Sequence, residues 1–188
     1  MGSDSRDKSH FSNKGVKNTL SLFTGGDIEG NESVEFNGLL FDMHQHIPIK
    51  KKFNLELFIS GGNMDGSEIP ESEYFKIGGL RNDLKTNQFS FYGMNAMRKY
   101  AEEFYMAGIN IRYKLNASIY INMKYNAVTY NTPTNFITTE DSEVGKDFKH
   151  GVGIGLGWDS LVGPLEIVIS NDADVGGILL SLFLGYEF

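Results

Sequence analysis

The chain has 188 residues, with 17 basic against 24 acidic side chains for a formal net charge of −7, and it has no cysteine. Disulfide and thiolate-metal scaffolds are therefore excluded, and nucleic acid, which needs a clustered basic face, is not an expected partner. Twenty-two glycines and 13% aromatics beside four prolines suit a chain made mainly of strands, and no apolar run is long enough for a transmembrane helix.

Residues 1–14 are polar and charged, without the apolar stretch of a signal peptide. They read as a flexible lead or an expression remnant, and an exported protein would need its signal or a preceding domain upstream. Period-two alternation then begins. It is weak over 15–24 and over 33–47, where the register reads as slipping near Gly38. It is clear over 53–62, where Phe53, Leu55, Leu57 and Ile59 alternate with Asn54, Glu56 and Ser60.

Over 104–115, Tyr105, Ala107, Ile109, Ile111 and Tyr113 alternate with Gly108, Asn110, Arg112 and Lys114. Over 117–130, Ile119, Ile121, Met123 and Tyr125 alternate with Asn122, Lys124 and Asn126. Both spans are long enough for a tilted membrane strand, which needs about 9–11 residues. Over 150–159, Val152, Ile154, Leu156 and Trp158 alternate with Gly151, Gly153, Gly155 and Gly157, a row without side chains that implies close approach from that side. A turn at Val162-Gly163-Pro164 leads to 164–171. The last span, 177–188, has a wholly apolar face: Ile178, Leu180, Leu182, Leu184, Tyr186 and Phe188.

The pattern predicts an all-β fold, an antiparallel transmembrane β-barrel of eight strands per chain over 15–188. Short turns alternate with long loops, the asymmetry of outer-membrane barrels, and Tyr113, Tyr125, Trp158, Tyr186 and Phe188 suit interfacial anchors. A mean hydropathy of −0.26 is no objection, because lipid-facing and lumen-facing residues cancel in the average. The remaining motifs read as structural. The glycine row keeps strict strand period, unlike a nucleotide loop. His44 and His46 form a pair too small for a metal site. Lys50-Lys51-Lys52 reads as a solvated turn, and Asn171-Asp-Ala-Asp174 and Glu140-Asp141 as loop acids without EF-hand spacing. No cofactor and no catalytic residue is expected.

Two stretches carry a resemblance. One is Glu73-Tyr-Phe-Lys-Ile-Gly-Gly-Leu-Arg81. The other is Gly151-Val-Gly-Ile-Gly-Leu-Gly-Trp-Asp159, followed by Val162-Gly-Pro-Leu165 and Leu184-Gly-Tyr-Glu-Phe188. They resemble the carboxy-terminal barrel of patatin-like type Vd autotransporters, within the BamA-type bacterial surface antigen superfamily. The resemblance implies a bacterial outer-membrane location, a 16-stranded barrel, and a loop, here 63–103, folded into the lumen with Phe75, Gly78, Gly79 and Arg81 as its lid residues. It also implies that Leu184, Tyr186 and Phe188 are read by the membrane insertion machinery. Asn82 stands where the family has Gly, and Asn122 and Lys124 stand where an acid would hold the lid arginine. Asp42, Glu56, Asp159 and Glu166 remain as candidate partners of Arg81. The patatin hydrolase motif is absent from this sequence.

Eight strands are half of the family's barrel, and an eight-stranded interior is just filled by its own side chains. Either loop 63–103 projects outside a monomer, or two copies join edge to edge as a homodimer with a 16-stranded barrel in the lipid bilayer. The functional expectation is a non-enzymatic barrel that anchors or translocates an attached passenger. A small adhesive outer-membrane protein and a soluble lipocalin-like barrel are the alternatives.

Overall fold

The computed structural model describes residues 1–26, 35–67, 69–133, 146–161, 163–173 and 176–185. Tyr186, Phe188, Val162, Asp174, Glu140 and Asp141 lie outside the described residues.

The strands are β1 (Gly2–Asp4), β2 (Gly15–Gly26), β3 (Glu35–Lys50), β4 (Phe53–Ser67), β5 (Phe75–Ile77), β6 (Gln88–Phe89), β7 (Lys99–Ala101), β8 (Glu103–Lys114), β9 (Ile119–Asn131), β10 (Lys146–Ser160), β11 (Gly163–Asn171) and β12 (Ile178–Leu184). Nine of them form one sheet in the order β1-β2-β3-β4-β8-β9-β10-β11-β12. All its pairings are antiparallel. β5, flanked by β6 in parallel and β7 in antiparallel, makes a second, small sheet.

Three sequence expectations are corrected here. First, the main sheet has nine strands among the described residues, because Gly2–Asp4 pairs with residues 17–19 of β2. Three polar residues are too few for alternation to reveal. The Met1 amino group also donates to the Leu20 carbonyl at 2.6 Å. Residues 1–14, read as a flexible lead, are thus paired at their start and packed beyond it. Second, no pairing joins β12 to β1 or β2 among the described residues, so the sheet is open rather than a closed eight-stranded barrel. β1 takes up part of the β2 edge that a closing strand would use. Third, the register of β3 does not slip at Gly38. It runs unbroken against β2 and β4, and the one irregularity lies between Pro48 and Lys50. Phe36 and Leu40 face inward with Asp42, and that apolar stretch of the inner face imitated a change of parity.

The sheet is rolled. The His10 ring stacks on Phe183 of β12, with centroids 6.0 Å apart. His10 lies five residues before β2, a reach of at most about 18 Å. In a flat sheet, the seven strand spacings from β2 to β12 would span about 34 Å. Only curvature brings the two within contact.

The two faces differ as the alternation requires. Leu22, Leu39, Ile59, Ile109, Met123, Ile154, Ile169 and Leu180 point outward and stay exposed, Ile154 at 59% and Leu180 at 67%. This apolar band runs over every long strand, far more than a water-soluble monomer leaves uncovered. The inner face is graded along the strands. Near the long connections it is apolar, with Phe36, Leu40, Phe58, Met64, Phe104, Met106 and Val128. Near the short turns it is polar, with Asn54, Glu56, Asn110, Arg112, Asn122, Lys124 and Glu166. Each fully buried Phe or Ile contributes roughly 1.5–3 kcal/mol by leaving water, so the apolar end is where an inserted segment gains most.

Candidate functional site

The connection from β4 to β8 folds back against the inner face, rather than projecting outside as a small closed barrel would require. Its small sheet lies on the apolar end: Phe75, Ile77, Phe89 and Phe91 are completely buried. Phe104 of β8 meets Phe75 at 5.0 Å and Phe89 at 4.5 Å between ring centroids. The room comes partly from the strand glycines. A side chain at Gly151 of β10 would run into the Tyr92 backbone carbonyl of this inserted segment. Gly78 and Gly79 adopt φ of +131° and +82°, where a Cβ is disfavoured, and they turn the chain after β5. The Gly78 amide then donates to the Phe89 carbonyl at 2.9 Å, and the Phe91 amide to the Gly79 carbonyl at 3.0 Å.

Arg81, the residue whose partner the sequence left open, reaches none of its four candidate carboxylates among the described residues. Asp42 accepts from Ser60 at 2.6 Å, Glu56 faces His44 and Asn110, Glu166 holds Lys124 and Asn122, and Asp159 pairs with Lys8 at 3.4 Å. The Arg81 guanidinium instead lies over the Phe183 ring, 5.8 Å from its centroid. The polar contact with β3 is made by the next residue. Asn82 Nδ2 stands 3.3 Å from His44 Nε2, and Asn82 Oδ1 accepts the Ser90 amide at 2.6 Å. Sequence reading had treated Asn82 only as a departure from the family pattern.

Tyr92 sits on a buried ion pair. Lys124 Nζ is 2.7 Å from Glu166 Oε1 and lies 4.6 Å from the Tyr92 ring centroid. Asn122 completes the carboxylate's shell at 2.6 Å. Burial pushes the Tyr92 phenol above its ordinary range, although Lys124 opposes the shift.

A second segment enters from the short-turn end. Residues 5–14, between β1 and β2, form a strap that crosses the inner face. Arg112 donates to the Ser12 carbonyl at 2.8 Å, and Asn54 donates to the Asn13 carbonyl. The Phe11 ring stacks on Tyr120 at 4.9 Å and under the Arg112 guanidinium at 5.4 Å. Gly157 makes the space, since a Cβ there would come within 2.8 Å of the ring. Phe11 has φ of +47°, a strained conformation for a bulky residue that its contacts must sustain. Within the strap, Asp7 accepts from Ser12 Oγ at 2.7 Å and from the Asn13 amide at 2.8 Å. Burial alone would raise the Asp7 pKa. The bonds from Ser12, Asn13 and Lys14 outweigh it and hold the carboxyl well below the usual range.

Between the inserted β4–β8 connection and the strap lies a polar cavity of about 120 Å³, bordered by Arg6, His10, Phe11, His44, Asn82 and Tyr92 among others. No group of three or more His, Cys, Asp or Glu side chains could hold a metal among the described residues. Sequence reading missed the strap, Tyr120 and the Arg112 contact. The one available signal was the glycine row from 151 to 157, which pointed to close approach without saying by what. Leu184 ends β12 with its side chain largely exposed.

A rolled antiparallel sheet, apolar outside and charged inside, with chain folded against its inner face, is the inside-out arrangement of membrane β-barrel proteins. The chain belongs to the OMP85 superfamily, whose family model matches residues 1–188. Membership is consistent with an outer-membrane β-barrel protein, and members are typically non-enzymatic. No curated protein matches the chain.

Proposed function

We propose that the chain forms the wall of a bacterial outer-membrane β-barrel that anchors an attached passenger or passes it across the membrane, with no covalent chemistry of its own. The carrying observation is the pairing of an outward apolar band with an inner face covered by an inserted lid and strap. An anchor needs the first; a gated passage needs the second. In this reading Phe75, Gly78, Gly79 and Arg81 belong to a lumen lid. Leu184, Tyr186 and Phe188 form the terminal strand signal that the insertion machinery reads.

Two edges support a homodimer. The outer side of β12 and the part of β2 beyond Leu20 have no strand partner among the described residues. Hydrocarbon cannot satisfy unpaired backbone groups, each of which costs several kcal/mol. A second copy related by a two-fold axis satisfies both edges and gives a wider barrel with room for two lids.

Reconstitution tests the reading. The purified chain is expected to enter lipid vesicles, to migrate in a heat-modifiable folded form, and to have twice the chain mass in detergent. Its bilayer conductance is expected to rise when residues 78–81 are deleted. A chain that stays folded and monodisperse in plain buffer would end the membrane reading. A single-chain mass in detergent would end the dimer, and unchanged conductance would end the lid role.

A further inference from the structure

The strap is held in the manner in which proteins hold peptides. Arg112 and Asn54 donate to the main-chain carbonyls of Ser12 and Asn13, contacts that any sequence could offer. Selectivity comes from a slot between Tyr120 and the Arg112 guanidinium, with Gly157 as its floor, which receives the Phe11 ring. The rim adds His10 stacked on Phe183 and Lys8 against Asp159.

We propose that the short-turn end of the inner face is a binding site for a tightly turned polypeptide segment bearing one aromatic residue, and that residues 8–13, a loop closed by the Asp7 amide on the Lys14 carbonyl, fill this site in cis as a competing plug. Three observations carry it. The strap has no regular secondary structure over these residues, so leaving the site breaks no strand. Phe11 is seated against its own backbone preference, so the slot supplies what holds it there. Arg112, only 5% exposed, has no carboxylate within ion-pair distance among the described residues, so its donors are directed at carbonyl oxygens: Ser12 of the strap and Asn122 of the wall. An acceptor-rich main chain with an aromatic side chain matches those donors and that slot.

The inference deepens the proposed function and rests on it, in that the ligand is a stretch of unfolded polypeptide such as a passenger would present. Its test uses the full chain in detergent micelles and a fluorescent decapeptide with the sequence of residues 5–14. Wild type is expected to bind it weakly, because its own strap occupies the site. Phe11→Ala in the protein is expected to bind it at least tenfold more tightly. Replacing Phe by Ala in the peptide, or combining Phe11→Ala with Arg112→Gln in the protein, is expected to reverse that gain. Gly157→Val is a second variant: it fills the slot, so trypsin should cut faster after Arg6 and Lys8 while the peptide still fails to bind. Equal binding to wild type and Phe11→Ala overturns the proposal, as does a slot-filled variant whose strap stays protected. Vesicle insertion is read in parallel. A chain that inserts and shows neither effect lacks this site, whereas one that does not insert fails the membrane reading itself.

Discussion

Asn82 Nδ2 lies 3.3 Å from His44 Nε2, and the orientation of that amide is fixed from its other end, where Oδ1 accepts the Ser90 amide at 2.6 Å. One side chain thereby closes a turn within the lid and sets that turn against β3, on the wall. Asn82→Ala removes the bond to Ser90, for a cost of about 1 kcal/mol, and the contact with His44, whose two ring N–H groups face Asp42 and Glu56. Hydrogen exchange of the Gly78 and Phe91 amides should then speed up about fivefold or more, with the exchange of β8 and β9 unchanged.

A larger release is expected from Gly151. A valine there collides with the Tyr92 backbone, which cannot move without shifting the lid, whereas Gly153→Ala meets the end of the Val168 side chain at 3.0 Å. Gly151→Val should raise lid exchange well beyond the Asn82→Ala value, and Gly153→Ala should leave it close to wild type. Comparable exchange in the two variants would mean that the lid does not press on β10.

The Lys124–Glu166 pair is buried under Tyr92. Lys124→Met leaves Glu166 as a buried carboxylate without its cation, which should cost about 3–5 kcal/mol in denaturant unfolding. The double variant Lys124→Met with Glu166→Met removes both charges and should recover most of that loss. Hydrogen exchange of the Gly78 and Phe91 amides reports whether the lid leaves in the single variant.

The strap carries a pH dependence. The folded pKa of Asp7 is depressed by its bonds to Ser12, Asn13 and Lys14, against the ordinary value of 3.8. The compact strap therefore binds fewer protons than an uncoiled one. Its internal turn, which presents Ser12 and Asn13 to the wall, is complete above pH 3.8 and loosens as pH falls below that value toward the folded pKa. A spin label on Ser9→Cys should become mobile as the pH is lowered through that window. Asp7→Asn should give the mobile signal at neutral pH.

The outward band should tolerate no charge. Ile154→Lys places an ammonium at the middle of the exposed apolar face, where the cost in a bilayer is roughly 2–4 kcal/mol. Unfolding in lipid vesicles should show that loss, while Ile154→Leu should be close to neutral.

Alternation alone placed the long strands. Ile109 and Ile111 against Asn110 and Arg112, or Val152 to Trp158 against four glycines, can bury only one row at a time, and hydrocarbon outside explains why the greasy row is the exposed one. The same alternation misled at Gly38. There both rows of β3 are apolar, because the inner row meets the lid instead of water. Local pattern cannot distinguish an apolar residue facing lipid from one facing another segment of the same chain.

The sequence by itself determined the β class and the direction in which the clearly alternating strands face, since period two is a property of neighbouring residues. Only the tertiary structure decided that Asn82 rather than Arg81 meets His44, that Arg81 rests on Phe183, and that residues 5–14 lie against Arg112 and Tyr120. Those contacts join positions as far apart as 81 and 183. They exist because the sheet is rolled, and the curvature of a sheet belongs to all its strands at once.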